Sequence, residues 1–298
     1  MSDYQLSAHK DYSKIAFSAM ASPCEVLVRN LDQKFCHVIA KKALYETKRI
    51  ESKFSRYVKD NLVYQMNRSN GKPINIDLEC FNLLEYARNL FELSEGLFDI
   101  TSGVLREIWN FTPNSKPPSN DDVNNILQRI GFGLILYDKT CFNMPKGMQI
   151  DFGGIGKEYA VDQVSRIIWE ECKTQNASYL VNFGGDLSAV KFKKNDPEWN
   201  VGLESPNNFD QTASVIKIAH GSVATSGNSK RFIEYQGKRY GHLLNPKTGY
   251  PVDGAPNSIT VFADSCVLAG SFSSLAMLQG KNAKMFLENQ KIKHICLW

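Results

Sequence analysis

The chain has 298 residues, 43% of them hydrophobic and 22% charged, as expected of a globular protein with a full core in one large domain or two intimate ones. Its formal charge of +4 comes from scattered Lys and Arg without a basic run, which argues against nucleic acid as a partner while suiting a small anionic ligand. No apolar run reaches the length of a membrane span, Met1 to Lys10 lacks a signal peptide's apolar core, and Cys24 follows Ala-Ser-Pro rather than a lipobox, so a cytoplasmic protein is expected.

Along the chain, Glu25 to Val28 reads as a short strand. A long helix is predicted from about Gln33 to Tyr57, with Val38, Ile39, Ala43, Leu44 and Ile50 as its apolar stripe. Cys80 to Leu93 predicts a second helix, stopped near Gly96. Asn114 to Asp122, with two prolines, is the clearest loop, and a helix carrying Val123, Ile126, Leu127 and Ile130 follows it. Strands are then predicted at Tyr179–Phe183, Trp199–Leu203, Ala213–Ile218, Phe232–Tyr235 and Ser258–Phe262, with Gln236-Gly237-Lys238 as a hairpin turn. A helix from about Leu268 to Leu278, a shorter one and a strand at Ile292–Leu297 close the chain. This order predicts an α+β fold, a largely antiparallel or mixed central sheet with packed helices. The seven cysteines are widely scattered without zinc spacing and read mostly as small buried residues.

The most informative segment is Asp151-Phe-Gly-Gly-Ile-Gly-Lys-Glu-Tyr-Ala-Val-Asp162, a glycine-rich turn into a predicted helix. Unpaired N–H groups and a positive macrodipole favour anions there, and glycines let the backbone come close. Glu158 follows Lys157 where a Walker loop needs Ser or Thr, and Tyr159 stands where a dinucleotide fingerprint needs its third glycine. An anion cradle and an ordinary strand-to-helix turn with a surface lysine both fit these residues.

Other polar clusters punctuate the chain: Phe54-Ser-Arg-Tyr57, Gly96 to Leu105, Asn182-Phe-Gly-Gly-Asp186, Ala224-Thr-Ser-Gly227 and Gly241 to Val252. In this order they resemble the ApbE family, the FAD:protein FMN transferases, from about Met20 to Gly280. Met20-Ala-Ser22 approximates the family's Met-Gly-Thr. Ser55-Arg-Tyr57 matches Ser-x-Tyr, Phe98-Asp99-Ile-Thr101 matches Phe-Asp-x-Thr, and Gly103-Val-Leu105 with Trp109-Asn-Phe111 follows Gly-Pro-Leu…Trp-Gly-Phe. Asp151 to Asp162 is similar to Asp-Leu-Gly-Gly-Ile-Ala-Lys-Gly-Tyr-Ala-Val-Asp. Gly184-Gly-Asp186, Thr225-Ser-Gly227 and His242-x-x-x-Pro246-x-Thr-Gly249 match nearly letter for letter.

The resemblance implies an ApbE-like, T-fold-like domain over residues 20–298 behind an extension of residues 1–19. It implies transfer of the FMN half of FAD to a Thr or Ser hydroxyl of a target flavoprotein, with release of AMP. Met20, Tyr57, Leu97, Phe98, Asp99 and Thr101 are the implied FAD contacts, Asp151 and Lys157 hold the ribityl-diphosphate region, Leu244 lines the flavin pocket, and His242 is the base. Magnesium is the implied metal, through a turn carbonyl, here Gly154, and a late-helix Asp and Thr. There the chain departs: Gly270 stands at the Asp position, Ser274 at the Thr position, and Glu158 where the family has glycine. Glu158 either restores a carboxylate to the metal site or caps or solvates the helix start. FAD hydrolysis to FMN and AMP, and FAD binding without catalysis, are the alternatives to transfer.

Overall fold

The computed structural model describes residues 3–112, 114–204, 212–228 and 231–298. In chain order its strands are β1 (Gln5–Ala8), β2 (Ser13–Ala19), β3 (Ser22–Val28), β4 (Ile74–Asn75), β5 (Leu136–Tyr137), β6 (Cys141–Asn143) and β7 (Tyr179–Phe183). There follow β8 (Asp186–Val190), β9 (Trp199–Glu204), β10 (Thr212–Ile218), β11 (His220–Gly227), β12 (Phe232–Tyr235), β13 (Lys238–Gly241), β14 (Ser258–Ala263) and β15 (Lys293–Leu297). The helices are α1 (Gln33–Phe54), α2 (Leu62–Asn67), α3 (Leu78–Leu93), α4 (Asn120–Leu127), α5 (Gly156–Cys172), α6 (Cys266–Leu278) and α7 (Ala283–Asn289).

An eight-stranded antiparallel sheet in the order β1-β2-β3-β7-β8-β11-β14-β15 organises the molecule. Strand β7 lies inside it and is buried on both faces, which explains its apolar run. Tyr179, Val181 and Phe183 join the main core with α1, α3 and α5, while Leu180 faces a smaller cluster around Trp199. Helices α1, α5 and α6 pack side by side on one face. Helix α1 buries Cys36, Ile39, Ala40, Ala43, Thr47, Ile50 and Phe54 at helical spacing, and its Asp32 cap accepts from Phe35 N at 2.7 Å.

The α+β reading matches this architecture, with differences at the edges. Helix α1 stops at Phe54 rather than Tyr57, because Ser55 turns extended while its N–H closes the last turn on Glu51 O. Helix α4 begins at Asn120, inside the predicted loop, behind a Ser119–Asp122 capping box. Residues 1–19, expected to be an extension, contribute β1 and β2 to the same sheet, since Ile15 and Phe17 have a core to join. Strands β4, β5, β6, β8, β11 and β13 were not predicted.

Candidate active site

The glycine turn sits between two loops that hold it. Asp151 N–H donates to Ile100 O at 2.8 Å, and its carboxylate accepts from Gly153 N at 2.8 Å and from Arg56 at 3.3 Å. Arg56 also donates to Gly103 O and Gln149 Oε1, so one guanidinium ties the end of α1 to both loops. A Cβ on Gly154 would stand 3.0 Å from the Phe98 ring, so any larger residue would push that ring back by a few tenths of an ångström. Ile155 gives the start of α5 no side-chain cap, and Phe152 O takes the Gly156 N–H at 2.7 Å, so an anion there would meet the positive end of the helix beyond Gly156.

One residue into that helix, Lys157 forms an ion pair with Asp186, a buried carboxylate that also accepts from Thr225 N at 3.3 Å. Asp186 arrives there because Gly184 and Gly185, at φ of 61° and 101°, make a two-residue hairpin turn between β7 and β8. Burial opposes the Lys157 charge, but Asp186 and then Glu158 outweigh it and hold its pKa above the ordinary lysine range. Glu158 is buried, 9% exposed, and burial, followed by the Asp186 charge, pushes its pKa up to about 8. Its Oε2 has no hydrogen-bond partner among the described residues. Across from it, a Cβ on Gly270 would lie 2.5 Å from Glu158 Cγ, so the glutamate fills the space that a side chain at 270 would need. Ser274, one turn along α6, sits 3.2 Å from Ser226 Oγ.

The implied FAD residues divide by exposure. Tyr57 is 84% exposed and Leu97 half-buried, but Phe98, Asp99 and Thr101 are buried. Asp99 accepts from Thr101 N, Thr101 Oγ1 and Phe132 N at 2.7, 2.6 and 3.0 Å, and Thr101 Oγ1 accepts from Gly131 N. Their polar atoms are thus committed to holding the Phe98 loop, and burial raises the Asp99 pKa despite those donors. Met20 and Ala21 form the two-residue turn between β2 and β3 at φ of 52° and 54°, with Met20 N–H donating to Glu51 Oε1 at 2.7 Å. That turn lies beside the Lys157 end of α5: a Cβ on Gly184 would meet Ser22 at 3.0 Å and Lys157 Nζ at 3.9 Å.

His242 stands on the loop after β13, with Nδ1 3.1 Å from Arg231 O. A carbonyl only accepts, so Nδ1 carries the proton and Nε2 keeps a free lone pair. Burial lowers the His242 pKa, and the charges of Arg106 and Arg231 lower it further. The rest of that loop is fixed by Trp109, which donates from Nε1 to Gly249 O at 2.7 Å. Leu244 pairs with Pro251 and packs beside the cluster of Val104, Leu105 and Trp109. A cavity of about 390 Å³ separates the Gly96 loop from Pro246 and Lys247.

Two residues matter here that the sequence reading left without a role. Arg106 feels Tyr57, Asp151 and Arg56 as well as Arg231, and His242 feels Arg106 in turn, so it links the glycine turn electrostatically to the histidine. Asp162, last residue of the opening motif, accepts from Cys266 N and Val267 N at 2.7 and 2.8 Å and clamps the start of α6 to α5. Both lie in or beside the motifs above, but their partners are distant in sequence, about a hundred residues on for Asp162 and on both sides of Arg106.

Fold and site together define an α+β protein whose open helix start, lysine–aspartate pair and neutral histidine suit chemistry on a phosphate ester. Residues 20–297 match the family model described as ApbE family, and the chain belongs to that family. It is 29% identical over 247 residues to the FAD:protein FMN transferase of Haemophilus influenzae, covering 79% of this chain and 70% of that protein. It is 28% identical to the FAD:protein FMN transferase of Klebsiella pneumoniae, over 87% of this chain and 79% of that one. The crystal structure of the ApbE protein from Thermotoga maritima superposes with a TM-score of 0.85 at 30% identity, over 96% of this chain and 94% of its own. The flavin transferase ApbE from Vibrio cholerae shares the fold, with a TM-score of 0.80 at 21% identity over 96% and 93% of the two chains.

Proposed function

We propose that this protein is an FAD:protein FMN transferase, moving FMN from FAD to a Ser or Thr hydroxyl of a target flavoprotein and releasing AMP. The single observation that carries this reading is the His242 tautomer: Nδ1 is tied to Arg231 O, leaving Nε2 as an acceptor on a ring that burial and two arginines keep neutral.

In this reading the acceptor oxygen attacks the FMN phosphorus, a new P–O bond forms, and the bond to the bridging oxygen of AMP breaks. The hydroxyl proton passes to His242 Nε2, and AMP departs with the electron pair of the broken bond. Lys157, at the start of α5, faces the pyrophosphate charge, and Asp186 holds the lysine in place. Asp151 positions the turn, while Asp99 and Thr101 position Phe98 against Gly154. Met20, Tyr57, Leu97 and Leu244 supply the flavin and adenosine contacts of this reading.

The described residues contain no cluster of three or more His, Cys, Asp and Glu fit for a metal. A site for Mg²⁺ needs less, since that ion takes one or two carboxylates together with substrate phosphates and water. In this reading Gly154 O, Ser274 Oγ and a buried carboxylate would hold the ion. When bound, Mg²⁺ would neutralise pyrophosphate charge. Among the described residues no helix is long and apolar enough to cross a membrane. The unpaired cysteines, five of them buried, support the cytoplasm as the compartment.

The test is incubation with FAD, Mg²⁺ and a target domain bearing a Ser/Thr acceptor, read by mass spectrometry. A mass gain equal to FMN on the acceptor is expected. Free FMN and AMP with an unmodified acceptor would make the protein a hydrolase, and intact FAD would leave it a binding protein.

A further inference from the structure

We infer that the carboxylate of this chain's cation site is Glu158, delivered from the first turn of α5 into the space that Gly270 leaves open on α6. The inference rests on the FAD reading above and names the ligand that reading lacks.

Three observations carry it. First, the fit is reciprocal: a Cβ on Gly270 would lie 2.5 Å from Glu158 Cγ and 3.0 Å from both Cδ and Oε1. The carboxylate therefore stands directly over the α6 backbone, where a short acidic side chain from 270 would otherwise project. Second, a glutamate that only solvated the helix start would lie in water, whereas Glu158 is 9% exposed and its Oε2 has no partner among the described residues. Leaving a buried carboxylate oxygen unsatisfied is costly, and an ion offers one resolution. Third, a second acid stands beside it: Asp186, at the start of β8, is within hydrogen-bond reach of the Glu158 carboxyl, and Ser274 lies one turn along α6 from Gly270, paired with Ser226 of β11. Hard oxygens around a buried acid suit a small divalent cation beside a pyrophosphate.

Lys157 is the competing occupant, since it already pairs with Asp186. Without an ion the Glu158 carboxyl shares a hydrogen bond with Asp186, and a cation would take the place of that proton, while Oε2 has no partner among the described residues.

The test uses Mn²⁺ as the probe ion. FAD-saturated protein, freed of excess FAD, is titrated with Mn²⁺, and bound ion is counted from the loss of the free-ion paramagnetic resonance signal. FAD retention is followed separately by flavin fluorescence, and folding by circular dichroism. One Mn²⁺ per chain is expected in the wild type. Glu158→Gln, which keeps shape and volume, should weaken Mn²⁺ by at least about tenfold with FAD still bound. Glu158→Gly should lose the ion as well, and adding Gly270→Asp to it should restore uptake.

Mn²⁺ uptake by Glu158→Gln equal to that of the wild type would overturn the inference. So would an FAD-loaded wild type that takes up no Mn²⁺, or a folded Glu158→Gly/Gly270→Asp protein no better than Glu158→Gly. A wild type that fails to hold FAD at all would instead overturn the transferase reading.

Discussion

Met20 and Ala21 occupy left-handed backbone at φ of 52° and 54°, where an L side chain costs about 1–2 kcal/mol per residue. The turn is held there by the Ala19–Ser22 pairing and by the Met20 N–H bond to Glu51, so the strain persists beside the Lys157 end of α5. Replacing Ala21 with glycine should raise stability by about 1 kcal/mol in urea unfolding, because glycine takes this conformation freely. An unchanged or lower midpoint would show that the turn is not strained. His242 makes a different prediction at the same scale. Its base form is the neutral ring, present above its pKa, so transfer should fall as pH drops through a break below the ordinary value of 6.5. Burial sets that direction first, and Arg106 adds to it; Arg106→Gln should therefore move the break upward, toward 6.5. A pH–rate profile decides it, and a break that stays put or moves down would remove Arg106 from the account. His242→Ala should lower the transfer rate by about 10²-fold or more while FAD affinity, from fluorescence titration, stays near that of the wild type.

Between elements, the contact of α5 with α6 is set by a glutamate on one helix and a bare backbone on the other. Gly270→Asp alone should cost about 1–3 kcal/mol, since its Cβ would enter the Glu158 side chain and either helix must shift. The same change in a Glu158→Gly background should cost little, and metal-free urea unfolding of the four proteins in the cycle measures the coupling. Additive losses would mean that the two positions do not share space. This contact also shows where the sequence was readable. The departures at 158 and 270 stood out because a family pattern predicts both letters, but only the fold reveals that they face each other. Strands β7, β12 and β14 were legible from apolar runs between breakers. Strands β8 and β11 were not, because Asp186-Leu-Ser-Ala-Val190 and His220 to Gly227 carry serines, threonines and glycine that read as loop. Their hydroxyls pair across the fold instead, Ser188 with Ser165, Thr225 with Thr260, Ser226 with Ser273, and Ser188, Thr260 and Ser273 are buried. Asp99 and Thr101 were legible as a motif, but their role is to hold a loop, which depends on Gly131 and Phe132 some thirty residues on.

Across the whole molecule, one ionic network joins the three helices that frame the core. Glu79, in the first turn of α3, accepts from both ends of the Arg49 guanidinium of α1 at 2.8 and 2.7 Å, from Lys53 at 2.6 Å, and from Tyr159 of α5 at 2.8 Å. Arg49 also pairs with Glu46, and Lys53 with Asp77, so each cation keeps a partner if Glu79 is neutralised. Burial alone would raise the Glu79 pKa, but the bonds from Arg49, Lys53 and Tyr159 outweigh it and bring it down to about 2, from an ordinary 4.5. A carboxylate depressed in the folded state binds fewer protons there than in the unfolded chain. Its stabilisation is therefore complete above about pH 4.5 and is lost as pH falls toward 2. Glu79→Gln should make the protein less stable than wild type at pH 7, by an amount that shrinks steadily as pH is lowered through that window. Paired urea titrations of the two proteins at intervals from pH 6 downward, as far as the fold persists, measure that difference. A stability gap that stays constant across the acidic range would mean that the network contributes through packing rather than through the Glu79 charge. The same comparison at high salt separates the cases further, since partial exposure of these groups leaves the charge contribution open to screening whereas packing is not.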